Sequence, residues 1–223
     1  PKNYIKRFWE LCKKYDILYI SDEVVTGFGR LGYFFSSKDE FDIEPDIITT
    51  AKGITSGYFP LGAVLISNKL MDNIKHESAL FFHGYTYSGH PAACAAAFKN
   101  IEILKRDKIL DHVKEISPYF FEKLNTLYNI PIVGDVRGMG LMAGIECVID
   151  KNSKDPLILD KAIGSRIDEQ SIKLGLIIRP LYHICVLSPA LIITKEQIDE
   201  LTNKLYEAIE KSLEELRIEG LWS

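Results

Sequence analysis

Two residues stand out for the chemistry they could do, because each ends a short apolar run. Pro45-Asp46-Ile47-Ile48-Thr49-Thr50-Ala51-Lys52-Gly53 is a β-branched stretch that closes on one lysine and then passes into a flexible Gly, Thr and Ser segment. Ile17-Leu18-Tyr19-Ile20 is a second compact run, and it stops at Ser21-Asp22-Glu23. In open α/β sheets the carboxyl ends of the strands are where ligands sit. An amine held there, partly desolvated, loses proton affinity and becomes a usable nucleophile. Read singly, Lys52 is a solvated loop charge and Asp22 a turn-starting acid; together they make a candidate catalytic pair.

The elements that position them alternate between strand and helix. Ile47 to Ala51 is continuous rather than alternating, which predicts a buried strand of a parallel sheet covered on both faces. Ile17 to Ile20 and Leu61 to Ser67 read the same way, and Ser67 or Asn68 can cap a helix carrying Leu70, Met71 and Ile74. Ahead of them Tyr4, Ile5, Phe8, Trp9, Leu11 and Cys12 share one face of a covering helix. Tyr85-Thr86-Tyr87-Ser88-Gly89 precedes an alanine-rich helix from Pro91 to about Arg106. Hydroxyls before a helix amino terminus suit an anion.

Further on, a helix is expected over 111–129, a strand over 141–149 after the turn at Gly138 and Gly140, and a polar loop over 151–156. A helix over 161–174, a strand pair or one bent strand over 176–194 and an amphipathic helix over 198–216 follow. The pattern is α/β, with one domain over residues 1–100 and a smaller one over 101–223.

A lysine and an acid at the ends of two buried strands are the groups a pyridoxal phosphate site needs. The lysine forms the Schiff base, and the acid pairs with the pyridinium nitrogen so that the ring withdraws electrons. The wording around them carries a resemblance. Ser21-Asp22-Glu23-Val24-Val25-Thr26-Gly27-Phe28-Gly29-Arg30, the Pro45 to Tyr58 stretch, and His83-Gly84-Tyr85-Thr86-Tyr87-Ser88-Gly89-His90-Pro91 resemble the class III aminotransferases of pyridoxal-phosphate fold type I. The branch they look like acts on omega-amino acids or on amine and pyruvate.

The resemblance implies part of the large, mostly parallel-sheet cofactor domain followed by the small carboxyl-terminal domain. It also implies that this chain is the carboxyl-terminal half of a longer enzyme, because the family's phosphate-cradling loop and ring-stacking aromatic lie upstream. By the same resemblance Lys52 carries the cofactor as an aldimine, Asp22 pairs with the ring nitrogen, and Val24 packs on the ring. Tyr85 and Thr86 lie where the cofactor phosphate of the other subunit of a homodimer is bound. Arg179, in Arg179-Pro180-Leu181 ahead of Leu187-Ser188-Pro189, matches the arginine that binds the substrate carboxylate. A guanidinium suits that task because its planar fork grips a carboxylate bidentately.

The implied reaction moves an amino group from an amine or omega-amino acid to a keto acid such as pyruvate by a ping-pong cycle. The alternatives are an aminomutase or racemase of the same fold, or a truncated, non-catalytic half. The chain departs from the family pattern at Leu31, at Tyr182-His183 in place of a common Gly-Asp or Gly-Asn pair, and at Ala190 in place of a proline. These changes bear on the substrate more than on the chemistry.

Composition narrows the classes. The 223 residues are 47% hydrophobic and 26% charged, enough for a substantial core. The 27 basic and 31 acidic residues are interspersed, which gives no footprint for nucleic acid or an anionic membrane. No apolar run is long enough to span a bilayer, so a cytoplasmic protein is expected. Cys12, Cys94, Cys147 and Cys185 are scattered, and neither they nor the five histidines show metal-ligand spacing. Arg137 reads as a member of a structural ion pair.

Overall fold

The computed structural model describes residues 3–74, 82–152, 155–156 and 162–222. Its contacts divide the chain into two units, Pro1–Asp111 and His112–Ser223.

In the first unit, helix α1 (Tyr4–Lys14) leads into β1 (Ile20–Asp22), a short α2 (Ser36–Asp39) and β2 (Ile47–Thr50). A single 3-10 turn (Lys52–Ile54), β3 (Ala63–Ile66), α3 (Asn68–Ile74) and α4 (Pro91–Arg106) follow. The three strands form one sheet in sequence order, β1 and β2 parallel, β2 and β3 antiparallel. Cys12, Tyr19 and Ile43 make a small buried cluster, with Ile5, Trp9 and Phe41 packed on it. Asp46 binds this corner together. Its carboxylate takes Lys13 Nζ at 2.7 Å and the Tyr19 N–H at 2.8 Å, joining the last turn of α1 to the approaches of β1 and β2.

The strands are less covered than their apolar runs predict. Ile20 is 56% exposed and Val64 53%, and Tyr4, Phe8 and Leu11 of α1 are also exposed. An apolar run reports the surface a strand suits; the cover must come from elements packed on it, and those of this unit leave much of the sheet open. The strand expected to end at Ile20 instead begins there. The Tyr19 N–H goes to the Asp46 carboxylate while its carbonyl accepts the N–H groups of Asp46 (3.0 Å) and Ile47 (3.3 Å), and residue pairing starts at Ile20↔Ile47.

The second unit is built on α5 (Ile109–Asn125), whose first turn contains the boundary. β4 (Val133–Met139), β5 (Met142–Asp150), β6 (Asp155–Pro156), α6 (Ile163–Lys173), β7 (Arg179–Leu181), β8 (Ile184–Leu187) and α7 (Lys195–Ile218) complete it. The antiparallel order is β4-β5-β8-β7, with β6 paired to β5. Two corrections belong here. β4 was expected to be a turn, and Asp155–Pro156 part of a loop.

β4 escapes a periodicity reading because its glycines interrupt the pattern, yet they are what the pairing needs. A Cβ on Gly134 would lie 2.3 Å from Val148 Cγ2, and one on Gly138 2.1 Å from the Met142 carbonyl oxygen. The helix expected from Lys161 begins, within the described residues, at Ile163.

The core of this unit sits between the sheet and its helices. Val113, Ile116, Phe120 and Leu124 of α5 and Ile198, Leu205, Ile209 and Leu216 of α7 supply it at helical spacing. Thr194 starts α7 with a reciprocal cap: its Oγ1 accepts the Gln197 N–H, and Gln197 Oε1 accepts the Thr194 N–H.

Tyr182 and His183 form the two-residue loop between β7 and β8, and Tyr182 has φ +55°. That left-handed backbone costs an L-residue about 1–2 kcal/mol, against roughly 0.5–1 kcal/mol for the extra unfolded-chain freedom of glycine. Tyr182 is 74% exposed, so little burial offsets the strain. Tyr182→Gly is therefore expected to stabilise the unit by about 0.5–1 kcal/mol, read as a higher urea midpoint at unchanged slope. A lower midpoint would show that the tyrosine ring contributes more than its backbone costs.

Candidate active site

The parallel register of β1 and β2 sets Asp22 opposite Thr49. Asp22 is the last residue of β1, and Lys52 stands two residues beyond the end of β2. Acid and amine therefore share one carboxyl edge of the sheet. Asp22 is exposed, and its Oδ1 accepts the Val24 N–H at 3.0 Å, which orients the carboxylate and ties Val24, half-buried, to it.

Lys52 opens the 3-10 turn with φ +36°, a left-handed backbone. Such strain persists only where the surroundings over-determine it. Here Asn100 of α4 does so: its Nδ2 donates to the carbonyls of Gly53 at 2.8 Å and Ile54 at 3.2 Å, while Ser56 Oγ donates to its Oδ1 at 2.8 Å. Lys52 itself is exposed. The partial desolvation expected of its amine is not supplied by this unit.

Behind Asp22 lies Glu23, 1% exposed. Its carboxylate is satisfied entirely by donors: the N–H groups of Ser36 (3.0 Å) and Ser37 (2.9 Å), and the hydroxyls of Ser36 (2.8 Å), Thr26 (3.0 Å) and Ser37. Burial pushes the Glu23 carboxyl up, but the bonds from Ser37 and Ser36 outweigh it and hold it below its ordinary 4.5.

Asp46 is likewise held below 3.8, burial being outweighed by the bonds from Lys13 and Tyr19. A depressed folded value means stability that is complete above the unfolded value and lost as pH falls through the folded one. The melting temperature of the first unit is thus expected to be flat above pH 4.5 and to fall below it, with a shallower fall in Glu23→Gln. Calorimetry over this range checks it; equal slopes in the two proteins would remove Glu23 from the account.

The other predicted residues lie on other elements. Tyr85 and Thr86 are exposed in a turn closed by the Ser88 N–H on the Tyr85 carbonyl (2.9 Å) and the Tyr85 N–H on Ser88 Oγ (2.8 Å). The start of α4 is capped by His90, whose Nδ1 accepts the Ala93 N–H. Arg179 lies in the second unit, exposed at the head of β7, and among the described residues no ion pair engages it. Arg137, by contrast, is held by Asp135 and Glu146, in the structural role expected of it.

Leu31 is buried. Glu23, Asp46 and Asn100 escaped the sequence reading because all but one of the partners of their side chains, Thr26 beside Glu23, lie 13 to 47 residues away. Among the described residues no three His, Cys, Asp or Glu side chains gather as a metal site.

The family model for Aminotransferase class-III matches residues 1–209. The chain belongs to the class III aminotransferases. It is 40% identical over 219 residues to a probable gamma-aminobutyrate transaminase 3 of Oryza sativa subsp. indica, covering 97% of this chain and 43% of that protein. It is 41% identical over 202 residues to the putrescine–pyruvate aminotransferase of Pseudomonas aeruginosa, covering 90% and 44%. Among solved structures, an (S)-enantioselective omega-transaminase from Thermomicrobium roseum aligns with a TM-score of 0.90 at 38% identity over 96% of this chain and 47% of that one. A PMP-bound aminotransferase from Vibrio fluvialis aligns at 0.87 and 38%, over 96% and 48%.

The chain thus spans less than half the length of these relatives, and it has the fold of the type I pyridoxal-phosphate transferases. The class III cofactor is pyridoxal phosphate, and Vibrio fluvialis structures carry it or its aminated form. The donor types present suit that group. The oriented Asp22 carboxylate is an acceptor for a ring N–H, the exposed Lys52 amine matches an aldehyde, and the hydroxyls of the 85–88 turn match a phosphate.

Proposed function

We propose that this chain is the portion of a pyridoxal-phosphate aminotransferase that carries the reactive lysine and its carboxylate partner, and that the enzyme transfers an amino group from an amine or omega-amino acid to a keto acid such as pyruvate. The observation that carries the reading is the parallel β1–β2 register, which sets Asp22 and Lys52 on one edge. When bound, pyridoxal phosphate supplies an electron-withdrawing ring that stabilises negative charge at the substrate carbon.

Lys52 Nζ would hold the cofactor and, as a free amine, would take and return a proton at the substrate carbon. The Asp22 carboxylate would accept the ring N–H, Val24 would offer the ring an apolar contact, and Tyr85 and Thr86 would bind a phosphate across a homodimer. Arg179 grips the carboxylate of an acidic substrate through its two-pronged fork. The putrescine and pyruvate named for one relative and the gamma-aminobutyrate named for another support this substrate class. No described helix is long and apolar enough to cross a membrane, and the free thiols are in keeping with a cytoplasmic setting.

The test is stoichiometry. The protein with pyridoxal phosphate and a primary amine is expected to consume one pyruvate per carbonyl product released. Product formation with no keto acid present would identify an isomerase instead, and no reaction with any donor would leave a non-catalytic chain.

A further inference from the structure

One buried carboxylate connects the two ends of the candidate pair. The Glu23 N–H continues the ladder to the Thr49 carbonyl at 2.8 Å, and the Glu23 carbonyl accepts the Gly27 N–H at 2.9 Å and Thr50 Oγ1 at 3.4 Å. Its side chain gathers Thr26, Ser36 and Ser37, and so closes the loop over residues 24–35 onto itself. That loop then touches both reactive positions. Its first residue, Val24, orients the Asp22 carboxylate. Gly27 and Phe28 pack on the residue after Lys52: a Cβ on Gly53 would stand 2.9 Å from the Gly27 carbonyl oxygen and 3.0 Å from Phe28 Cβ. A Cβ on Gly27 would in turn stand 2.8 Å from the Glu23 carbonyl oxygen. The contacts form an unbroken path from Asp22 through Glu23, Gly27 and Gly53 to Lys52.

We propose that Glu23 is a positioning residue that fixes Asp22 and Lys52 relative to each other by clamping the loop over 24–35. It rests on the reading of Asp22 and Lys52 as the reactive pair. The five groups described at its carboxylate are donors, with a backbone N–H at each oxygen, so an acceptor at both oxygens fits. Glu23→Gln keeps the shape but turns an N–H₂ toward donors, leaving buried groups unsatisfied. The loop loosens, and with it the separation of acid and amine; a displacement near 1 Å at a reacting pair costs roughly a hundredfold.

The experiment follows Lys52 directly. The wild-type chain and the variants are mixed with pyridoxal phosphate, reduced with borohydride, and the adduct on the Lys52 peptide is timed by mass spectrometry. Amide exchange of the cofactor-free proteins is recorded beside it. Glu23→Gln is expected to slow adduct formation roughly tenfold or more, and Ser37→Ala, which removes one donor and leaves the charge, to slow it less in the same direction. Exchange at Val24, Gly27, Phe28 and Gly53 should quicken while the amides of α4 and of the second unit keep their rates.

Uniformly faster exchange throughout the first unit, with the adduct rate of the folded fraction unchanged, would make Glu23 a stability residue only and overturn the proposal. If Glu23→Gln does not fold, Ser37→Ala decides, and a wild-type rate in it overturns the proposal. No adduct at Lys52 in the wild type would overturn the site reading itself, and the positioning role with it.

Discussion

Lys52→Ala is expected to abolish covalent capture of pyridoxal phosphate and to lower amino-group transfer by about 10³-fold or more. Nothing else described on that edge can replace the amine, because the turn offers one side chain there, and the residues around it are Ala51, Gly53 and Ile54. The fold should be little affected. Lys52 is exposed, makes no ion pair among the described residues, and sits in a left-handed backbone that alanine tolerates no better and no worse.

The result is read from visible absorbance with added pyridoxal phosphate and from the mass of the borohydride-reduced peptide. A small primary amine added to the buffer should restore part of the transfer, since the missing function is a free base and not a shape. Full capture by Lys52→Ala would place the reactive lysine elsewhere. In that case the shared edge of β1 and β2 would be structural.

Phe120→Ala is expected to destabilise the second unit by about 3–5 kcal/mol, enough to unfold a marginal domain. Phe120 is fully buried, stands at the middle of the α5 face and meets Phe121 edge-on at 5.5 Å. It belongs to the buried cluster that also holds side chains of the sheet and of α7, and such a close-packed core relaxes only partly into the space a deleted ring leaves. The two tryptophans make the unit separable in fluorescence: Trp222 packs against this core and Trp9 against the small cluster of the first unit. In a Trp9→Phe background the guanidinium midpoint of Trp222 emission should drop markedly with an unchanged slope. A loss below about 1 kcal/mol would mean that the core repacks around the deletion, as volume-tolerant cores do.

The strand edge shared by Asp22 and Lys52 was legible without coordinates. Each follows an apolar run whose composition marks a strand, and such runs are written in neighbouring residues. Helices α4 and α7 and the strand pair β7–β8 were legible for the same reason: helical spacing, Pro91 at a first turn, and apolar runs broken by turns are written in neighbouring residues. The exposed state of Lys52 was not legible. Desolvation is a property of what surrounds a group, and its sequence neighbours do not supply that cover.

The sequence by itself therefore determined which groups could react, the order of elements that carries them, and the family to which those motifs point. Tertiary structure alone decided that β4 is a strand paired with β5, since its glycines read as turn until a partner backbone is brought close. It also decided that Glu23, beside the predicted acid, is buried and ringed by donors that hold its carboxyl below the ordinary range, because those donors come from residues 3 to 14 positions away and meet only when the loop closes. The faces of β1 to β3 that remain open were decided at the same level. Periodicity records what a side chain suits, whereas burial depends on which distant surfaces arrive to cover it.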